Sequence, residues 1–110
     1  TVACLTYLGE YLMSLLSESQ INDNLKKLND WEFKNNAVSR SFNFSSYMRG
    51  IDFVNSTASL AEEENHHPDI TIGWCIVKIK FTSHDLGGVT EGCINMAKLV
   101  TKLFEEKVTK

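Results

Sequence analysis

Val2, Leu5, Leu8, Leu12, Leu15 and Leu16 recur at three- and four-residue steps, the spacing that lines side chains along one face of a helix. A short amphipathic helix is therefore predicted within residues 1–16, as an extension ahead of a domain over 17–110. Ser19 is placed to cap a second helix reaching about Leu28, with Ile21, Leu25 and Leu28 on one face and Asp23, Lys26 and Lys27 toward water. From Trp31 the period falls to two. Trp31, Glu32 and Phe33 alternate, as do Val38, Arg40, Phe42 and Phe44 against Ser39, Ser41 and Asn43, with Lys34-Asn35-Asn36 between the runs. That pattern predicts a β-hairpin. From Ser45 or Ser46 the helical period returns: Tyr47, Ile51, Val54, Ala58 and Ala61 form a stripe able to cover the hairpin, and the helix runs to about Glu64.

Beyond Pro68, Trp74 to Phe81 alternates again, with Cys75, Val77, Ile79 and Phe81 toward a core and Ile76, Lys78 and Lys80 away from it. Ile70 to Ile72 is a candidate short strand before it, with Gly73 as a break, and His84 follows the second strand. Gly87-Gly88 supplies a turn, and Thr90 is a helix N-cap with Val89 and Ile94 at the spacing of a hydrophobic staple. Cys93, Ala97, Val100 and Phe104 give the last helix a buried stripe. The order helix, hairpin, helix, strands, helix is that of an α+β two-layer domain.

Composition narrows the class. A chain of 110 residues with 43% hydrophobic and 23% charged positions builds one core, so one site is sought. Its formal charge of -3, with basic residues scattered among acids, lacks the footprint of a direct nucleic-acid binder. Glu10 interrupts the first apolar segment, which has no basic lead-in and falls short of the roughly 20 apolar residues of a membrane span. Cys4, Cys75 and Cys93 are odd in number and lack C-x-x-C spacing, which favours a reducing, cytoplasmic setting over a disulfide framework or zinc ribbon.

The chemistry concentrates in Glu62-Glu63-Glu64-Asn65-His66-His67-Pro68-Asp69, where the central helix gives way to a strand. Pro68 disfavours helix at His67. Three glutamates in a helix's last turn oppose the macrodipole at about 0.3–1 kcal/mol each when exposed. Carboxylates beside imidazoles fix their tautomer and orientation, which offsets that cost in a working site. From this segment alone, a solvated acidic helix end followed by two surface histidines is an equal reading. His84, just past a strand, adds a third imidazole, and strand polarity would let the two ends converge on one rim, although a lone histidine near a strand end is more often structural or merely exposed than catalytic. A metal site is disfavoured, because adjacent histidines seldom aim both rings at one ion and no H-E-x-x-H spacing occurs. Gly87-Gly88 reads as a turn before it reads as an anion site, since neither nucleotide-binding glycine pattern is present.

Glu62-x-x-x-His66-His67-Pro68, the aromatic Trp74, and Ser83-His84-Asp85-Leu86-Gly87-Gly88-Val89-Thr90 resemble, in order and approximate spacing, the pterin-4a-carbinolamine dehydratases. The resemblance runs from about Ser17 to the C-terminus. It implies a four-stranded antiparallel sheet with helices packed on one face, and a homodimer or homotetramer. It also implies a reaction needing no cofactor, the loss of water from a 4a-hydroxytetrahydropterin to give a quinonoid dihydropterin in tetrahydrobiopterin recycling. Histidine suits both the proton donor and the acceptor that this elimination requires. By matching positions, His66 and His84 are the acid–base residues, Glu62 orients a histidine, and His67 holds the pterin. Trp74 either shapes the site or packs on the sheet. Cys93 and Asn65 stand where family members commonly carry aspartate, and Ile70 where an aromatic is frequent.

A second function implied by the resemblance is that of an interaction protein. Some animal members bind a homeodomain transcription factor and stabilise its dimer through their helical surface, which here would present Arg49, Asp52 and Asn55. A third reading, a metal-binding protein, predicts stoichiometric metal and loss of stability with chelator.

Overall fold

The structure, a computed structural model, describes residues 14–108. The helix expected at the start of the chain lies mostly outside the described residues. At its predicted end the chain is extended: Leu15 bridges Thr90, and the Leu16 N–H donates to the Val89 carbonyl at 2.9 Å.

Helix α1 spans Glu18–Leu25. Its cap is Ser17, two residues before the expected Ser19, because Ser17 and Gln20 satisfy each other: the Gln20 N–H donates to Ser17 Oγ at 3.1 Å and the Ser17 N–H to Gln20 Oε1 at 2.8 Å. This reciprocal box needs a Glu or Gln three residues on, and Ser19 has Asn22 there. The helix also stops short of Leu28, which is nevertheless buried in a following turn.

Strands β1 (Glu32–Lys34) and β2 (Ala37–Asn43) form the predicted hairpin. Asn35 and Asn36 both have positive φ, 52° and 61°, the backbone of the tight turn whose twist matches the strands it joins, and asparagine tolerates it. Helix α2 (Tyr47–Glu64) starts at Ser46, whose Oγ accepts the Arg49 N–H at 3.2 Å. Strands β3 (Asp69–Gly73) and β4 (Ile76–Phe81) then pair antiparallel, and helix α3 (Glu91–Val108) closes the chain. The sheet order is β1-β2-β4-β3, all antiparallel.

The helices lie on one sheet face, over the buried Val38, Phe42, Val77, Ile79 and Phe81, while Ser41, Asn43, Lys78 and Lys80 are exposed on the other. The α2 stripe differs from expectation: the buried positions are Gly50, Phe53, Thr57 and Ala61, whereas Tyr47 and Ala58 are exposed. Phe53 decides the rotation, because its ring packs against Phe42 and Phe44 with centroids 4.8 and 5.2 Å away. Gly50 lets the helix approach, since a Cβ there would already touch Val77 at 3.4 Å. The stripe of α3 is as expected: Cys93, Ala97 and Val100 are fully buried and Phe104 packs on Phe42 at 4.8 Å.

The β3–β4 connection differs too. Trp74 and Cys75 form the hairpin turn instead of opening the second strand, and Cys75 takes φ 59°. Alternation alone does not distinguish a turn residue from the first residue of a strand. Cys75 is therefore half-buried at a tip, not part of the core.

Candidate active site

Antiparallel pairing of β3 with β4 brings the two histidine-bearing segments together. Asp69, the first residue of β3, pairs with Lys80, next to last in β4. His66-His67 immediately before β3 and His84 just after β4 therefore share one rim. His66, His67 and His84 line a single cleft of about 580 Å³, with Glu64, Asn65, Asp85, Thr90, Asn95 and Met96 among its walls.

Each ring is aimed by local backbone. Helix α2 ends with Asn65 in the left-handed region, φ 51°. The His66 N–H returns to the Ala61 carbonyl at 3.0 Å and the Asn65 N–H to the Glu62 carbonyl at 3.3 Å, the paired bonds of a Schellman stop. This reverses the chain so that His66 faces inward against Phe81, centroid to centroid 5.7 Å. His84 sits on a small loop closed at its base, where the Ser83 N–H donates to the Gly88 carbonyl and the Gly87 N–H to the Ser83 carbonyl, both at 2.8 Å. Gly87 has φ 71°, a conformation that costs glycine nothing.

The three imidazoles have different surroundings. His67 Nε2 lies 2.6 Å from Glu62 Oε1; a carboxylate there only accepts, so this nitrogen carries a proton. Glu62 thus orients His67, not His66, and it does so from outside the cleft walls. His84 is largely exposed, with Nε2 4.0 Å from Asp69 Oδ2. His66 is half-buried, and its pKa is lowered from the ordinary 6.5, first by burial and then by the charge of His67. Its Nε2 lies 3.5 Å from the Sγ of Cys93.

Trp74 is not brought to this cleft. It stands 83% exposed at the tip of the β3–β4 hairpin, roughly 15 Å of strand away from Asp69, and it does not pack on the sheet. Several wall residues carry no motif. Asn95 is exposed between the buried Ile94 and Met96, and nothing in the sequence pattern marks it. Asp69 belongs to the histidine segment but lies outside the cleft walls, and Cys93, part of the buried stripe of α3, also meets a histidine. Among the described residues, no three His, Cys, Asp or Glu side chains are grouped to hold a metal ion. A second cleft of about 470 Å³ beside Arg40 and Phe104 contains no histidine. No helix among the described residues is long and apolar enough to cross a membrane.

Comparison with known proteins gives one consistent result. Residues 14–103 match the family model described as Pterin 4 alpha carbinolamine dehydratase. A Mycobacterium tuberculosis H37Rv protein named "Putative pterin-4-alpha-carbinolamine dehydratase" is 40% identical over 92 residues, 84% of this chain and 98% of that protein. A protein of the same name from Aquifex aeolicus is 38% identical over 91 residues, 83% of this chain and 92% of its own length. The crystal structure of a "transcriptional coactivator/pterin dehydratase" from Brucella melitensis superposes with a TM-score of 0.78 at 30% identity, over 82% of this chain and 98% of that one. A pterin dehydratase-like protein described as a RuBisCO assembly factor in the alpha-carboxysome gives a TM-score of 0.56 at 29% identity, over 67% and 86% of the two chains.

Proposed function

The chain belongs to the pterin 4 alpha carbinolamine dehydratase family, and from that premise we propose that it eliminates water from a 4a-hydroxytetrahydropterin in the cleft of His66, His67 and His84. The bond between C4a and its hydroxyl oxygen breaks, the oxygen leaves as water, and N5 gives up its proton as the C4a–N5 double bond forms. One imidazole donates toward the leaving oxygen and another accepts the N5 proton, the work of general acid–base catalysis. His66 and His84 are the acid–base pair of this proposal. His67, held by Glu62, is its pterin-binding side chain, and Trp74 has no part in it. The observation that carries the reading is the convergence of all three histidines of the sequence on one cleft.

The product is a quinonoid dihydropterin, which places the protein in tetrahydrobiopterin recycling, with no redox cofactor of its own. The free thiols of Cys75 and Cys93 support a reducing, cytoplasmic setting, and the open β1 and β3 edges support assembly by sheet joining into a homodimer or homotetramer. The test is direct: the carbinolamine is generated by an aromatic amino-acid hydroxylase and its decay followed by ultraviolet absorbance. The folded protein is expected to accelerate decay over the uncatalysed background, and an unchanged rate would refute the reading.

A second reading, an interaction protein that stabilises dimers of a transcription factor, is favoured by the exposure of Arg49, Asp52 and Asn55 along α2 beside Met48 and by the coactivator description of the Brucella protein. On that reading, substituting these three residues abolishes partner binding and spares dehydration.

A further inference from the structure

Cys93 has no exposed surface and lies between two polar groups in the first turn of α3. Its Sγ is 3.5 Å from His66 Nε2 and 3.5 Å from Thr90 Oγ1. Thr90 is buried, and its hydroxyl oxygen already accepts the Cys93 N–H at 3.3 Å. The hydroxyl hydrogen is left to donate, and the sulfur accepts it. A thiol has a single hydrogen. With Thr90 donating to the sulfur, the polar atom on the other side is Nε2 of His66, which takes the thiol hydrogen in one tautomer and donates to the sulfur in the other.

We propose that Cys93 is a positioning residue that sets the tautomer of His66: its thiol donates to Nε2, so the neutral ring carries its proton on Nδ1. For its catalytic meaning the inference rests on the dehydratase reading. Within it, His66 passes its Nδ1 proton to the leaving hydroxyl while Nε2 takes up the thiol proton, and the proton released at N5, accepted by another group of the cleft, restores the thiol. A carboxylate at position 93 would do the reverse, accepting from Nε2–H and leaving Nδ1 as a base.

Protonating His66 would set an N–H against the S–H, two donors facing each other, so the contact disfavours the charged ring in the same direction as burial and the neighbouring His67. The other titratable groups lining the same cleft are Glu64 at the end of α2 and His84 and Asp85 on the loop after β4; β4 itself contributes the apolar Phe81.

The experiment reads the ring nitrogens of histidine-labelled protein by long-range proton–nitrogen correlation at neutral pH, with His66 identified by the signals lost in His66→Gln. Wild type is expected to show the Nδ1–H form. Cys93→Ser, which keeps a donor, should retain it, and Cys93→Asp should invert it to Nε2–H and raise the titration midpoint of His66 by about one unit or more. Should the buried aspartate prevent folding, Cys93→Ala serves: with the donor gone, His66 should become a mixture of tautomers. An Nε2–H ring in wild type, or an Nδ1–H ring unaltered in Cys93→Asp or Cys93→Ala, would overturn the proposal. Because the ring signals need no turnover, a failure of the dehydratase reading would appear separately, in the absorbance assay.

Discussion

His66 combines partial burial, a thiol on one ring nitrogen and a charged neighbour, and each leaves a measurable trace. Its pKa is lowered in the fold, so on acidification the unfolded chain takes up this proton first, near about 6.5. The stability it contributes is complete above that value and is lost as pH falls through the lower folded value. Urea denaturation at pH 7.5 and 5.5 should therefore show a smaller acid loss in His66→Gln than in wild type. Glu62→Gln removes the carboxylate that holds His67. Both side chains are more than half exposed, so stability should change by about 1 kcal/mol or less, while KM rises if the ring binds pterin. The histidines were legible because their types and spacing are rare. Cys93 was legible as a buried residue standing where the family commonly carries aspartate, but its contact with His66 was not: periodicity reports that a side chain faces inward, not which residue of another element meets it.

The end of α2 does the most to build the site. Asn65 supplies the left-handed residue from which His66 turns inward. Asn65→Gly should be tolerated, whereas Asn65→Ala should lose about 1 kcal/mol of stability and more than Asn65→Gly in dehydration rate, read by denaturation and absorbance in parallel. At the other end of the chain, Ser17→Ala removes a reciprocal cap and should cost about 1 kcal/mol. The hairpin was readable from its alternation and paired asparagines. The buried face of α2 was not, because Gly50 and Thr57 occupy it and neither counts as apolar in a stripe search. The β3–β4 turn was hidden for the opposite reason: Trp74 and Cys75 look like strand residues, and only the observed backbone shows a turn there.

In the whole molecule, the antiparallel sheet is what makes the site possible, since it brings residues 66–67 and 84 to one rim while the aromatic cluster of Phe42, Phe44, Phe53 and Phe104 holds the helices against the strands. Phe53→Ala, at the centre of that cluster and fully buried, should cost about 3–5 kcal/mol with little change in the urea dependence. The two-layer order was legible from the alternation of periods, and sheet order and register follow once the strands are paired. Whether this rim dehydrates the carbinolamine through its histidines, as proposed, is decided by the initial rate of carbinolamine loss with wild type, His66→Ala and no protein. Acceleration by wild type that falls by about 100-fold or more in folded His66→Ala is the predicted result, and equal rates in wild type and the variant would contradict it.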